Sequence, residues 1–213
     1  VSPASFVPIA EQSGLITEIG QWVFDSGSAQ RMAWAAHAGA EFRMSVNVAV
    51  PQLRHPDFLR QVKQVLERTG LDPHRNPLGV EITESQLVDN IERVVPVLEA
   101  LRSLGVYLSI DDFGTGYSSL SYLRRLPVNA LKIDISFVRE IVKEPNARAL
   151  ASSIIALGHS LKLQIVAEGV ETEDQLQILD GMGCDMAQGY LFSRPVPAAD
   201  FARLLAAPPW KTA

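Results

Sequence analysis

Six short apolar runs, each a candidate β-strand, carry near their ends a residue that can do chemistry. Asn47 lies near the end of the first, and Glu81 follows Leu78-Gly79-Val80. Asp111-Asp112 follows Leu108-Ser109-Ile110, while Lys132 and Asp134 share the run Leu131–Ile135. Glu168 follows Ile165-Val166-Ala167, and Gln188 lies in the last run. Buried without partners, such groups would be costly. Placed at the carboxyl ends of barrel strands, they converge on the mouth where barrel active sites lie. Carboxylates with a carboxamide make an all-oxygen ligand set, which suits Mg²⁺ or Mn²⁺ rather than Zn²⁺. Asp111-Asp112 is the sharpest feature. On a regular strand the two face opposite ways, so the strand is expected to end there. Adjacent carboxylates repel unless a cation compensates, and one of them could bridge two metals. Two metals about 3.5–4 Å apart are a recurring solution for phosphodiester hydrolysis. Lys132 would then orient the attacking water or stabilise charge on the phosphorane.

Each residue also has a simpler reading. Asn47 could hold a loop, Glu81 and Glu84 could be a solvated strand end, and Lys132 with Asp134 a surface pair worth little. Asp112 could cap a turn before Gly114, and Glu168 with Glu171 could favour a helix dipole. Six such coincidences at one face argue together for a metal site. The histidines His37, His55, His74 and His159 show no metal spacing and read as helix or loop surface; Cys184 reads as a small core thiol.

The elements that position these residues alternate. Candidate strands are Phe42–Ala49, Leu78–Glu84, Tyr107–Phe113, Ala130–Asp134, Gln164–Gly169 and Met186–Phe192. Helical patterns cover Thr17–Ala38, Pro56–Thr69, Asn90–Leu104, Ser118–Leu126, Asn146–Leu161, Thr172–Met182 and Pro197–Ala206. Thr172-x-x-Gln175 reads as a capping box, and Gly70, Gly105 and Gly183 sit where helices should stop. Pro96 must kink its helix or mark a later start. Strands alternating with helices predict βαβ units and a parallel sheet, as a doubly wound fold or a (β/α)8 barrel. No G-x-G-x-x-G or Walker motif accompanies an early strand, which weakens the first option.

The chain has 213 residues, 47% hydrophobic and 20% charged, with a net charge of −5. That length suits one domain and a sizeable core. The acidic balance disfavours binding to a DNA or RNA duplex. A single cysteine excludes a disulfide framework and a Cys-rich zinc site. With no apolar run long enough to span a membrane and no signal peptide, the expectation is a cytoplasmic domain without membrane contact. The first residue is Val1 rather than Met, which reads as part of a longer protein.

These residues resemble the EAL domain family of bacterial cyclic-di-GMP phosphodiesterases. The matching stretches are Ser2-Pro3-Ala4-x-Phe6-x-Pro8-x-Ala10-Glu11, Ser45-Val46-Asn47, Glu81-Ile82-Thr83-Glu84-Ser85 and Asp111-Asp112-Phe113-Gly114-Thr115-Gly116-Tyr117-Ser118-Ser119-Leu120. Leu131-Lys132-Ile133-Asp134, Ala167-Glu168-Gly169-Val170-Glu171-Thr172 and Gln188-Gly189-Tyr190-x-Phe192-Ser193-Arg194-Pro195 continue them in family order. The resemblance implies a modified TIM-type (β/α)8 barrel over residues 1–213 as a single domain. It also implies opening of cyclic-di-GMP to linear pGpG with two Mg²⁺ or Mn²⁺ ions. By that similarity Asn47, Glu81, Asp111 and Asp112 are metal ligands, Asp111 bridges the ions, and Glu168 holds the second through water. Lys132 contacts the attacking water and Gln188 approaches the substrate. Glu84 anchors the loop from Asp112 to Ser119, a loop tied to dimerisation, and Glu171 supports the ligands from outside. A homodimer and upstream regulatory domains belong to the same expectation.

Two departures stand out. The family's signature Glu-Ala-Leu strand, which supplies a metal ligand, is expected before Val1, so the first two barrel strands are missing from this chain. The literal Glu99-Ala100-Leu101 falls in a helical pattern and is a decoy. Ala49 stands where relatives often have Ser. An incomplete barrel exposes sheet edges, so this chain alone is expected to be poorly active and marginally stable. The competing reading is a cyclic-di-GMP receptor that binds without cutting; the retained Asn47, Glu81, Asp111, Asp112, Lys132 and Glu168 weigh against it. A third reading, an unrelated Mg²⁺ barrel with Lys132 as a base, is excluded by the family motifs alone.

Overall fold

The computed structural model describes residues 1–35, 42–74, 78–88, 91–116 and 123–206. The chain divides into two compact units. The first comprises Val1–Ile82 and Gln86–Leu108, the second Thr83–Ser85 and Ser109–Ala213.

In the first unit, α1 (Pro3–Ser13) begins on a proline, where a missing N–H costs nothing, and ends at Gly14 with φ +79°. The expected helical patterns begin only at Thr17, so α1 is an element the sequence pattern did not announce. The second helix, α2 (Ile16–Ala33), stops short of the expected Ala38. Next come β1 (Met44–Asn47), α3 (Val50–Leu53), α4 (Phe58–Thr69) and β2 (Leu78–Thr83), the last crossing into the second unit. β1 and β2 are parallel, with Asn47 opposite Glu81. Leu78, Val80 and Ile82 are almost fully buried, the near-continuous apolar pattern of a strand covered on both faces.

Glu84 does not close β2 as expected; it opens the short α5 (Glu84–Val88). Helix α6 (Ile91–Ser103) runs through Pro96 without the later start that the proline suggested. Its Val94, Leu98 and Leu101 lie one helical turn apart and are fully buried. Glu99-Ala100-Leu101 lies inside this helix, so it is no strand end.

The second unit takes up β3 (Tyr107–Phe113) from Ser109 and continues with β4 (Ala130–Ile133), β5 (Gln164–Glu168) and β6 (Met186–Gln188). β3–β4, β4–β5 and β5–β6 are all parallel pairs, so the strands' carboxyl ends lie side by side. Every residue of β4, including Lys132, is buried. The helices between and after the strands are α7 (Ile135–Glu140), α8 (Pro145–Ser160), α9 (Glu173–Gly181) and α10 (Ala198–Ala206). Residues 118–122 of the expected Ser118–Leu126 helix lie outside the described residues. The capping box holds: Thr172 Oγ1 accepts from the Gln175 N–H, and Gln175 Oε1 accepts from the Thr172 N–H at 3.0 Å. Gln175 Nε2 also donates to the Val138 carbonyl, tying α9 to α7.

β6 ends at Gln188, four residues before the expected Phe192. The chain turns there because its main chain pairs with Val170. The Val170 N–H donates to Gln188 O and the Leu191 N–H to Val170 O, both at 3.0 Å. Gly189 permits this approach, since a Cβ there would overlap the Val170 main chain. Gly189→Ala is expected to destabilise the protein by about 2–4 kcal/mol, because backbone cannot step aside as a side chain can. Denaturant unfolding measures it; an unchanged midpoint would show that the contact relaxes freely.

Candidate active site

β3 carries the paired aspartates as its fifth and sixth residues and ends at Phe113, as expected. Its register with β4 shifts between Ile110 and Phe113, and Asp112 takes φ +53°. A bulge adds a residue on one strand and re-aims side chains. Here it overrides the pleat's alternation, so Asp111 and Asp112 can both serve one side. Asx residues tolerate the left-handed region better than most, which suits Asp at this position. The turn that follows is held locally: Thr115 Oγ1 donates to Asp112 O at 2.9 Å, and the Asp112 N–H donates to Asp111 Oδ1 at 3.2 Å.

Lys132 projects from the middle of the buried β4 and is only 4% exposed. Its Nζ lies 3.0 Å from Asp111 Oδ1 and 2.5 Å from Glu168 Oε1. The simpler reading of Lys132 with Asp134 as a surface pair therefore fails. Both are buried, and Lys132 pairs with the neighbouring strands instead. Asp134 caps α7, accepting from the Ser136 N–H at 2.9 Å, and its charge acts on Asp112, helping to raise that carboxyl's pKa. That link to Asp112 is what sequence reading missed; its only signal was a second acid two residues after the strand lysine.

Asp111, Asp112 and Glu168 each present a carboxylate oxygen, and these oxygens lie within 4.8 Å of one another. Three carboxylates around one ammonium leave the cluster short of positive charge. The pKa shifts express this. Asp112 is raised by burial, then by the charges of Asp111 and Asp134, with Lys132 pulling the other way. Glu168 is pushed up to about 7, chiefly by burial, even though Lys132 draws it down. A hard divalent cation on these oxygens would supply the missing charge and favour their ionised forms. The all-oxygen donor set fits such an ion.

A carboxyl that binds its proton more tightly folded than unfolded lends stability below its ordinary pKa of 4.5, and loses it as pH rises through about 7. In the presence of a chelator, the stability of wild type relative to Glu168→Gln should therefore fall across that window. The expected fall is on the order of 2 kcal/mol. Unfolding titrations at several pH values check this, and a pH-independent difference would contradict it.

Glu84 is 1% exposed and its Oε2 accepts from the Gly114 N–H at 2.8 Å. Gly114 itself sits at φ +102°, a conformation that favours glycine. Gln188 is exposed at the end of β6, opposite Glu168 in register, and its carbonyl accepts from Val170. Glu171 is exposed; its N–H donates to Gln175 Oε1 at 2.7 Å, and its carboxylate is not among the clustered three. In the first unit, Asn47 at the end of β1 lies opposite Glu81 of β2, and the Val48 N–H donates to Glu81 O at 2.9 Å. Thus the second unit brings Asp111, Asp112, Lys132 and Glu168 together, and the first unit brings Asn47 and Glu81 together. Ser118 and Ser119 lie outside the described residues.

The EAL domain family model matches residues 1–195. The bifunctional diguanylate cyclase/cyclic di-GMP phosphodiesterase MucR of Pseudomonas aeruginosa is 43% identical over 198 residues, which cover 93% of this chain and 29% of that protein. The cyclic di-GMP phosphodiesterase NbdA of the same organism is 41% identical over 218 residues, covering 100% of this chain and 28% of that protein. The chain thus spans less than a third of these curated relatives. Among solved structures, a MucR phosphodiesterase in complex with c-di-GMP matches with a TM-score of 0.89 at 43% identity, over 94% of this chain and 81% of that one. The EAL domain of Mycobacterium smegmatis DcpA matches with a TM-score of 0.84 at 40% identity, over 89% of this chain and 84% of that one.

Proposed function

The chain belongs to the EAL domain family, and on that premise we propose that it hydrolyses cyclic-di-GMP to linear pGpG with the help of two Mg²⁺ or Mn²⁺ ions. Its fold class is α/β, of the modified (β/α)8-barrel type seen in the solved EAL domains it matches, with six strands among the described residues. The observation that carries the reading is the Asp111–Asp112–Glu168 cluster with Lys132 buried in it. An unrelated fold rarely spends a fully buried ammonium and three carboxylates on one point unless charge is handled there.

Asn47, Glu81, Asp111 and Asp112 would hold the ions, with Glu168 completing the acidic set beside Asp111 and Asp112. Bound there, the metals would neutralise the phosphodiester oxygens and make the attacking water more acidic. Lys132 would direct the attacking water, its ammonium being held between two carboxylates. Glu84 keeps the turn at Gly114 in place, and with it the backbone that carries Asp112. Gln188 approaches the substrate from β6, and Glu171 steadies the segment between Glu168 and α9. Residues 1–213 act as one EAL-like domain of a larger regulatory protein, working as a homodimer in the cytoplasm. No helix among the described residues is long and apolar enough to cross a membrane.

The test is incubation with cyclic-di-GMP and Mn²⁺, with the products separated by chromatography. Linear pGpG that disappears on chelation supports the proposal. Bound but intact cyclic-di-GMP, both here and in an N-terminally extended chain, would identify a receptor instead.

A further inference from the structure

Away from the acidic cluster, the first unit holds a cavity of about 260 Å³ where α6 packs against α3 and α4. Its polar lining is Arg54, His55 and Arg93, and its apolar wall includes Leu53, Leu59 and Val97. No carboxylate lines it. Neighbouring arginines are neutralised: Arg60 pairs with Asp57 at 2.8 Å and Arg68 with Asp25 at 2.7 Å. Arg54 and Arg93 form no ion pair among the described residues. In a chain of net charge −5, two unpaired guanidiniums on one concavity are a local reversal of sign.

The imidazole adds a donor. His55 Nδ1 accepts from the Asp57 N–H at 3.3 Å, which leaves Nε2 to carry the proton. His55 lies just before α4 and Arg93 near the start of α6, so the donors come from two elements of the unit. A lining whose charged side chains are two forked guanidiniums with no carboxylate matches a phosphate dianion better than a single carboxylate. The apolar wall leaves room for the group that the phosphate is attached to.

We propose that this cavity is a binding site for a phosphomonoester, held by Arg54, Arg93 and His55. It is separate from the proposed hydrolytic site and does not depend on that reading, because binding is measured with chelator present and without cyclic-di-GMP. The experiment follows amide resonances of the isotope-labelled chain during titration with inorganic phosphate, GMP and guanosine. Phosphate and GMP should give saturable shifts at residues 53–59 and 93–97, and guanosine should not. The double variant Arg54→Gln/Arg93→Gln should weaken GMP binding at least about tenfold, while Lys63→Gln, on the exposed side of α4, should leave it unchanged. If the double variant does not fold, Arg93→Gln alone carries the test with a loss of about threefold or more. Guanosine acting as strongly as GMP, unchanged affinity in the variants, or no saturable shift with either phosphate probe would overturn the proposal. Shifts confined to the segments around Asp111 and Glu168 would overturn it as well.

Discussion

Lys132→Ala is expected to lower the turnover of cyclic-di-GMP by about 10²–10⁴-fold while substrate affinity changes only a few-fold. Lys132 is buried within one strand, and its ammonium touches two carboxylates rather than open space. Such a group acts on charge that develops during reaction, and interactions made only then change kcat rather than KM. The same substitution leaves Asp111 and Glu168 facing each other without a cation. The chelated variant should therefore lose about 3 kcal/mol of stability. Divalent ions should bind it at least as tightly as wild type, because a competing positive charge is gone. Steady-state kinetics and a Mn²⁺ titration of the variant check both statements. Binding lost with kcat kept would instead make Lys132 a clamp for the substrate.

Asp111→Asn is expected to reduce hydrolysis by at least about 10³-fold. Asp111 sits at the bulge, contacts Lys132 and lies among the clustered oxygens. Asparagine preserves shape and removes one negative charge, so the fold and the bulge should survive. Its NH₂ group would face Lys132 or a metal with a donor where an acceptor is needed. Circular dichroism and unfolding should match wild type within about 1 kcal/mol. Residual activity above a tenth of wild type would remove Asp111 from the centre of the mechanism.

Much of this arrangement was legible before the structure. The limits of β3 were legible because the apolar Tyr107, Leu108, Ile110 and Phe113 fall in one short run bounded by Gly105 and Gly114. Thr172 and Gln175 announced α9 through chemistry that is local in sequence. What stayed hidden depended on neighbours far along the chain. The bulge at Asp112 follows from how β3 registers on β4, and no property of Asp111-Asp112 alone encodes it. Lys132 and Asp134 look like a solvated pair until β3 and β5 close over β4 and bury both. The early end of β6 comes from Val170, nineteen positions before Gly189. Glu84 was read as strand because Leu78–Thr83 leads into it without a breaker, yet its carboxylate is recruited by the Gly114 amide.

Asp111, Asp112 and Glu168 are proposed to hold a divalent cation. The most direct measurement is a Mn²⁺ titration followed by electron paramagnetic resonance, on wild type and on Asp111→Asn under identical buffer conditions. The account predicts saturable binding in wild type that is weakened at least about tenfold in the variant. Equal binding in the two proteins, or none in wild type, would contradict it.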